Sequence, residues 1–473
     1  MSIQINSVDG LLGDGGGGGS ANGRVDGNNG DSLISSSLPS NNLVHDVSMS
    51  VAMDSESNHR YSVPNNSVII ADIGGNSIKY GWCEYDTPKT MGNCVCKAKS
   101  ERRRLFIGDQ LDDCKDCSGL FYILPFNKGY LMNMDIERQI FDHMLKKNLE
   151  ATGLKDKAFL FTEPYFNFRQ IQENMLEVLF EEYQFGKLAK SNPAYLSMIN
   201  HTKESYHRQC CLVVDSGYSF THIVPFINGK IVKGAICRID MGGKALTNHL
   251  KDIISYRQLH VLDETYVINQ CKEDCCYVST KFNDDLMKTR DKKNPIVQDY
   301  VLPDFTTIKR GYVRQEKNDN PDLQSIRMNN ERFQVPEILF YPSDVGINQI
   351  GISHCIIYSI ESCPEEYRPF LYENILLIGG NSNFSGYRER ISQDIRSMAD
   401  SLYDINVISA KNPIIDPWYG GKYLVSNLTD LFSGMCHTKK EYEELGAQNF
   451  LAKMELPMFP LESKSTEVEV EES

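Results

Sequence analysis

One stretch of apolar and polar positions predicts a buried hairpin near the middle of the chain. Residues 210–214 are apolar, Asp215 and Gly217 follow in an Asp-x-Gly turn, and residues 223–226 are apolar again. An apolar run that ends in turn residues and then resumes is typical of two paired, buried strands. Asp and Gly are ordinary turn residues, so this stretch alone does not assign a site.

The same layout occurs once more, earlier in the chain. An apolar run at residues 67–71 ends in a second Asp-x-Gly turn at Asp72, and residues 80–82 form the returning strand. Asp72 and Asp215 are 143 positions apart. That distance is too long for a solenoid repeat but suits two similar half-molecules. We therefore predict two lobes, each with one hairpin.

A third stretch joins a buried strand to a pair of glycines. Residues 373–378 run into Gly379 and Gly380, and a helical pattern begins at residue 387. The remaining pattern predicts helices at residues 134–149, 169–180 and 264–277, a buried strand at 158–161, and a mostly exposed, charged insertion over residues 282–333.

These three stretches together favour one kind of chemistry. Backbone N–H groups in an Asp-x-Gly turn can face a phosphate, while the carboxylate faces its cation. Glycines after a strand allow the backbone to approach a flat or anionic ligand closely. We expect the two hairpins to hold a polyphosphate and its cation from opposite sides, with the Gly379 turn closing over the nucleoside.

Composition restricts the class of protein. The chain has 473 residues, of which 41% are hydrophobic, and a formal net charge of −14. An acidic protein is disfavoured as a general nucleic-acid binder. No apolar run is long enough for a membrane span, and the N-terminus lacks the pattern of a secretory signal. The 14 cysteines are therefore interpreted as reduced thiols of an intracellular protein.

Both ends of the chain are predicted to lie outside the folded part. Residues 1–62 are rich in Gly, Ser and Asn and bury too little apolar surface to offset the entropy of ordering, so we expect disorder. Residues 456–473 are interpreted as an acidic, mobile tail.

Two local features have competing interpretations. Cys94, Cys96, Cys114 and Cys117 form two close pairs that could hold zinc, but Cys-x-Cys is a poor half-site and the second pair lies in a polar loop, which favours ordinary thiols. The basic run at residues 97–104 fits either a contact with an acidic partner or nucleic acid, or a solvated loop, and the solvated loop is favoured.

From about residue 63 to the low 450s, the sequence resembles actin and the actin-related proteins. Within that family it is most similar to a nuclear branch whose members belong to chromatin remodellers. The stretches that carry this closer match are residues 118–125, 214–225, 254–260, 336–340 and 379–382.

The resemblance implies an α/β fold with two ribonuclease-H-like lobes, each with a smaller inserted subdomain, around an ATP cleft. Residues 63–208 would form the first lobe, which residues 411–455 complete. Residues 209–410 would form the second lobe, with the charged insertion at about 309–323.

The resemblance also implies the binding residues, for ATP or ADP with Mg. Asp72 and Asp215 would hold the cation through water, Lys79 would lie near the phosphates, and Lys272 and Glu273 would lie beside the adenine and ribose. The first phosphate loop, the second loop and the adenosine turn would contribute Gly74, Gly75, Asn76, Ser77, Gly217, Ser219, Gly379, Gly380, Asn381 and Ser382.

Departures from actin bear on catalysis and assembly. The second loop of actin reads Asp-Ser-Gly-Asp-Gly, but here Tyr218 and Ser219 replace its last two residues, and Gly75 replaces the usual serine of the first loop. Tyr218 would either crowd the phosphates or project elsewhere. Pro193 stands where actin has the glutamine that orients the attacking water, and Gln184 is nine residues upstream. We therefore expect hydrolysis to be weak or absent, because positioning supplies most of the catalysis in phosphoryl transfer.

The implied function is a scaffold without catalysis in a nuclear complex that exchanges ordinary histone 2A for its Z variant. Expected partners are the motor ATPase, other subunits of the complex and, indirectly, the histones of the nucleosome. The shorter loop between Arg104 and Leu120 and the added insertion argue against a self-polymer. The alternatives are an active ATPase or a filament-associated cytoskeletal protein, and cytoplasm is the alternative compartment to the nucleus.

Overall fold

A computed structural model describes residues 68–203, 209–315, 320 and 322–460. The predicted disordered segment 1–62 and the last thirteen residues lie outside this part of the chain. Among the described residues, no helix combines the length and the apolar character needed to cross a membrane.

Strands and α-helices of the described chain are numbered in chain order. The strands are β1 Val68–Ile73, β2 Ser77–Trp82, β3 Lys89–Gly92, β4 Val95–Lys97, β5 Leu105–Ile107, β6 Phe121–Ile123, β7 Phe126–Asn127, β8 Tyr130–Leu131, β9 Ala158–Thr162, β10 Lys187–Ser191, β11 Cys211–Ser216, β12 Thr221–Ile227, β13 Lys230–Ile231, β14 Cys237–Ile239, β15 Gln298–Val301, β16 Tyr312–Val313, β17 Ser325–Met328, β18 Ile375–Ile378, β19 Val407–Ser409 and β20 His437–Thr438. The helices are α1 Met134–Asp142, α2 Arg169–Glu177, α3 Pro193–Thr202, α4 Gly243–Arg257, α5 Thr265–Cys275, α6 Phe282–Lys288, α7 Glu331–Glu337, α8 Ile352–Glu361, α9 Arg368–Tyr372, α10 Tyr387–Met398, α11 Asp416–Asn427, α12 Thr429–Met435 and α13 Lys439–Lys453.

The first lobe is built on a six-stranded sheet with the order β20-β10-β9-β1-β2-β3. β1 pairs antiparallel with β2 and parallel with β9, which pairs parallel with β10. Every residue of β1 is buried, as expected for a strand covered on both faces. After the second lobe, the chain returns here, because β20 pairs with β10 and α11 packs against α3.

The second lobe repeats this plan in the order β13-β12-β11-β18-β19. β11 pairs antiparallel with β12 and parallel with β18, which pairs parallel with β19. In both lobes, therefore, a hairpin lies beside parallel strands, and each hairpin turn follows the carboxyl end of a central buried strand. The carboxyl ends of parallel strands are where open α/β sheets bind ligands.

The interpretation of residues 282–333 as a mostly exposed insertion is wrong for much of its length. β15, β16 and β17 form a three-stranded sheet here, and Tyr300, Ile326 and Met328 are buried in the core of the second lobe. At the edges of the charged segment 309–323, Arg310 and Arg314 pair with Asp274 and Asp299. Short strands with single apolar residues between charges conceal this sheet in the sequence.

The interpretation of residues 456–473 as a mobile tail is wrong for residues 456–460. After α13 in the first lobe, this segment reaches the second lobe, where the Ile231 N–H donates to the Pro457 carbonyl (3.0 Å) and the Phe459 N–H donates to the Ile231 carbonyl (2.9 Å). The Phe459 ring packs against Tyr367 at a centroid distance of 5.6 Å. Apolar side chains therefore anchor this C-terminal strap, residues 456–460.

A second contact joins the two lobes at the small β5-β4-β6 sheet. The Gly119 N–H donates to both carboxylate oxygens of Glu264, at 3.1 and 3.0 Å. Tyr266 and Phe305 of the second lobe pack against the small apolar core of this sheet.

Candidate functional site

A cavity of about 370 Å³ lies between the two hairpin turns, within the size range of small-molecule sites. The predicted binding residues meet here although they come from distant parts of the sequence. Those that line the cavity are Asp72, Gly74, Gly75, Asn76, Ser77, Lys79, Asp215, Gly217, Ser219, Lys272, Glu273, Gly379, Gly380 and Asn381.

Ser382 is the predicted residue that the structure places outside this lining. Its hydroxyl donates to the Gly379 carbonyl at 2.7 Å, so it holds the shape of the turn. Gly379 itself has a φ of +86°, and a Cβ there would lie 2.3 Å from the Ser216 carbonyl oxygen. Only glycine allows this close packing of the third stretch on the second loop.

Hydrogen bonds fix the first loop against its own lobe. Asp72 accepts from the Thr162 hydroxyl at 2.8 Å, and its other oxygen lies 3.6 Å from Lys79 Nζ. Asn93 holds the loop with two hydrogen bonds. Its side-chain amide donates to the Gly74 carbonyl (3.0 Å), and its backbone N–H donates to the Asn76 carbonyl (2.8 Å).

A buried carboxyl group lies next to Asn93. Glu137 on α1 is fully buried, and burial raises its pKa to about 8, although the nearby Asn93 side chain offsets part of the rise. Among the described residues, both Glu137 oxygens and Asn93 Oδ1 lack a hydrogen-bond partner. A protonated Glu137 satisfies this arrangement, because its O–H can donate to Asn93 Oδ1.

The second loop is held by the third stretch. The Gly217 N–H donates to the Phe220 carbonyl at 3.0 Å, which closes the turn. Asn381 Nδ2 donates to the Gly217 carbonyl (2.8 Å) and to Ser216 Oγ (3.1 Å). The turn that the sequence assigns to adenosine therefore also positions the second phosphate loop.

Two carboxylates and one lysine lie close together between the two loops of the cavity. Burial, with a further contribution from Asp72, raises the pKa of Asp215 to about 7, and Lys79 acts in the opposite direction. A cation placed between two carboxylates offsets their mutual repulsion. Oxygen ligands and room for several waters suit Mg²⁺, so the residues present fit a Mg–nucleotide.

Gly75 and Ser219 approach each other across the cavity. A Cβ added to Gly75 would lie 2.8 Å from Ser219 Oγ, which is closer than real Cβ contacts. The second loop thus brings a hydroxyl to the place where actin has the serine of its first loop. The two departures noted in the sequence are therefore reciprocal, with serine and glycine exchanged between facing loops.

Tyr218 lies along the wall of the cavity, against the first lobe. Its Cδ1 atom is 4.0 Å from the position of a Cβ on Gly75. Burial raises the pKa of Tyr218 to about 12, and the Cys94 thiol adds to the rise. The side chain therefore narrows the cavity beside the first loop.

Apolar and ring side chains occupy the end of the cavity near α3. Pro193 is the first residue of α3 and lines the cavity together with Pro164 and Pro417. Gln184 precedes β10, so the whole five-residue strand separates it from the cavity. Because that strand spans about 16 Å, Gln184 cannot take the role of the missing glutamine.

His222 also lines the cavity and was not assigned from the sequence. Burial, with a contribution from Arg238, lowers its pKa well below the usual value, so the imidazole is neutral. Within the described chain its Nε2 has no hydrogen-bond partner.

Lys272 and Glu273 lie at the opposite wall, on α5. Lys272 is buried and donates to the Gly243 carbonyl, Thr247 Oγ1 and Asn269 Oδ1 at 3.0–3.2 Å. Burial lowers its pKa. Glu273 accepts from Asn269 Nδ2 at 2.8 Å. Both residues therefore line the cavity from a hydrogen-bonded part of the second lobe.

Several further lining residues were missed by sequence reasoning. Most follow the carboxyl ends of parallel strands, which meet at one edge of a sheet, and this rule could have found them. They are Ile73, Phe126, Gly129, Pro164, Phe220, His222, Gly243, Asn269, Asn383, Phe384, Pro413, Ile414 and Pro417.

The four cysteines with competing interpretations lie in the small core of the β5-β4-β6 sheet. Cys94, Cys96 and Cys117 are buried, and the Cys94 and Cys96 sulfurs are 3.6 Å apart. Cys114 donates to the Asp116 carbonyl at 3.2 Å. Over the described ranges, no three His, Cys, Asp or Glu side chains are arranged to hold a metal ion.

Two lobes of one plan, with Asp-bearing turns facing across a cavity, define a two-lobed α/β protein of the actin-like fold class. The sequence profile of the family described as Actin matches residues 63–454. The chain belongs to the actin family. The resemblance and the actin-like fold predicted from the sequence are both confirmed.

Similar proteins come from animals, plants and fungi. A Drosophila melanogaster protein named actin-related protein 6 is 42% identical over 393 residues, which cover 81% of this chain and 98% of that protein. A Cryptococcus neoformans protein named actin-like protein ARP6 is 37% identical over 407 residues, with 80% and 83% covered. An Arabidopsis thaliana protein named actin-related protein 6 is 34% identical over 414 residues, with 81% and 98% covered.

Proposed function

We propose that this protein is a nucleotide-stabilised scaffold subunit, without catalysis, of a nuclear chromatin-remodelling complex. The complex is of the class that exchanges ordinary histone 2A for its Z variant. Its partners are the motor ATPase and the other subunits, with indirect contact to the histones. The similarity to proteins named actin-related protein 6 supports this proposal, because the resemblance read from the sequence is to the remodeller branch of the family.

The observation that carries the proposal is a cleft with binding groups in which a proline stands at the position of the family's water-orienting glutamine. Asp72, Asp215 and Lys79 converge on the cavity, and the loops around them are held by hydrogen bonds. Pro193 stands where the family places a glutamine, and a proline side chain neither donates nor accepts a hydrogen bond. Binding without turnover is the function that this arrangement favours.

A bound nucleotide would act by linkage. ATP or ADP with Mg would place its cation before Asp72 and Asp215, its phosphates by Lys79 and the two loops, and its adenosine by the Gly379 turn. A ligand that binds only the folded state stabilises it, by about 2.7 kcal/mol at a hundred times its dissociation constant. The cofactor would therefore hold the two lobes in one arrangement for partners.

Affinity purification from nuclear extract, followed by mass spectrometry, tests the assembly. The expected result is a remodeller motor ATPase recovered with the tagged chain at similar abundance. Recovery of cytoskeletal proteins without a motor ATPase would instead support the filament-associated alternative. The same purification from cytoplasmic extract tests the compartment, and we expect the motor ATPase only in the nuclear sample.

Single-turnover phosphate release tests the absence of catalysis. The purified chain is loaded with ATP and Mg, and we expect slow or no release. The Asp215→Asn variant measures the background from contaminating ATPases, because it removes one of the two carboxylates for the cation. Release at an actin-like rate that Asp215→Asn abolishes would contradict the proposal, and His222 would then be the first base to examine.

A further inference from the structure

A second concave surface lies outside the nucleotide cleft, at the junction of the two lobes. We call it the outer groove, and it encloses about 530 Å³ between the β5-β4-β6 sheet and the turn before α5. The residues that matter for its chemistry are Lys97, Lys99, Arg102, Phe121, Leu262 and Asp263.

Large apolar side chains are exposed at this groove. Lys97 is paired with Leu105 on β5 and with Phe121 on β6, and directly paired residues share one face of a sheet. Phe121 is 65% exposed and Leu105 is 44% exposed. Leu262, from the other lobe, is 43% exposed. An apolar surface of this kind, rimmed by charge, is typical of an interaction site.

The rim of the groove is basic in a protein that is acidic overall. Five of the eight residues from 97 to 104 are Lys or Arg, whereas the whole chain has a net charge of −14. Arg104 is neutralised by Glu101 and Asp113. Lys99 lies 3.9 Å from Asp263, and both side chains are mostly exposed.

Three basic side chains near the groove remain without a counter-charge. Over the ranges that the structure describes, Lys97, Arg102 and Arg103 make no ion pair, and all three are exposed. Exposed cations beside an aromatic ring are complementary to a ligand that carries carboxylates and an apolar side chain.

We propose that the outer groove binds an acidic segment of a partner protein that carries a large apolar side chain. Carboxylates of the segment pair with Lys97, Lys99 and Arg102, and its apolar side chain packs on Phe121 and Leu262. β6 is the edge strand of its sheet, so an extended segment can also add to it by backbone hydrogen bonds. The overall negative charge and the carboxylates of Asp263 and Glu264 at the rim disfavour nucleic acid.

Fluorescence anisotropy with a labelled peptide tests this proposal. The probe is a short peptide of Asp and Glu around a Trp-Leu pair, and the full chain is titrated into it. We expect binding that weakens with added salt, and a loss of at least about tenfold in affinity for the triple variant Lys97→Glu, Lys99→Glu, Arg102→Glu. The control is Arg290→Glu, Lys292→Glu, Lys293→Glu, which changes the same charge at exposed positions elsewhere and should bind as the natural chain does.

Additional variants and ligands test the apolar contact and distinguish the partner segment from other possible occupants of the groove. Phe121→Ser keeps every charge and should still lower the affinity for the peptide by several-fold. An equal effect of both triple variants, or no effect of Phe121→Ser, would overturn the proposal. So would a single-stranded oligonucleotide that binds more tightly than the peptide. Deletion of residues 461–473 should leave the peptide affinity unchanged, and an increase would assign the groove to this chain's own acidic tail instead.

Discussion

The buried Glu137 beneath the first loop makes the stability of this protein depend on pH in a defined way. Its pKa rises from 4.5 to about 8 on folding, because burial disfavours the charged carboxylate. Between these two values the unfolded chain has released the proton that the folded chain still holds. The free energy of unfolding therefore falls as the pH rises through this window and is constant above it.

Glu137→Gln removes this dependence while keeping the size of the side chain and a donor for Asn93. Each pH unit within the window corresponds to about 1.4 kcal/mol, so at pH 7 the Gln variant should be more stable by about 3 kcal/mol. Near pH 4.5 the two proteins should be about equally stable. Urea midpoints from intrinsic fluorescence, measured from about pH 5 to about pH 8, give this difference.

Glu137→Leu is the matched control for the hydrogen bond. It also removes the titration, but it leaves Asn93 Oδ1 buried without a donor, which costs about 1–3 kcal/mol relative to the Gln variant at every pH. If the difference in free energy of unfolding between the natural protein and Glu137→Gln stays constant from about pH 5 to about pH 8, Glu137 does not titrate in this range. If the free energy of unfolding of the natural protein instead rises relative to that of Glu137→Gln as the pH rises, Glu137 is ionised and paired in the folded state.

Other predictions concern the cleft and the C-terminal strap. Gly75→Ser should weaken ATP binding by about tenfold or more, because its side chain meets Ser219 Oγ, and adding Ser219→Gly should restore affinity in titrations with a fluorescent nucleotide. Asp215→Asn should weaken binding of the Mg–nucleotide more than that of the Mg-free nucleotide. Equal effects on both ligands would show that Asp215 does not contribute to binding of the cation. Pro193→Gln should raise single-turnover phosphate release, and no change would mean that the lack of a glutamine at this position does not limit the release. Phe459→Ala should lower stability by about 1–2 kcal/mol in thermal unfolding, because it removes a partly buried ring from Tyr367.

The sequence predicts what depends on local pattern. Both hairpins and the Gly379 turn are each encoded by a continuous apolar run followed by turn residues, and the structure brings all three to one cavity. The predicted helices at 134–149 and 169–180 begin at Met134 and Arg169, and each ends in a short π-helical turn. The family resemblance adds the order of these elements in two lobes.

Features that depend on contacts between distant residues were not predicted. The exchange between Gly75 and Ser219 looks like two separate losses in the sequence and becomes one replacement only when the loops face each other. Glu137 resembles any charged residue of an exposed helix, yet it faces inward to Asn93. The strap was assigned to the acidic tail because its apolar residues lie next to a charged run, and only the neighbouring Ile231 and Tyr367 explain its order.

The strap has a consequence for the lifetime of a bound nucleotide. Besides the covalent connections, the contacts that join the lobes include the strap at Ile231 and the hydrogen bonds from Gly119 to Glu264. Separation of the two lobes around a ligand in the cavity requires contacts of this kind to break. Where such opening precedes release, the residence time of a nucleotide bound as proposed should stay long even if its equilibrium affinity is modest.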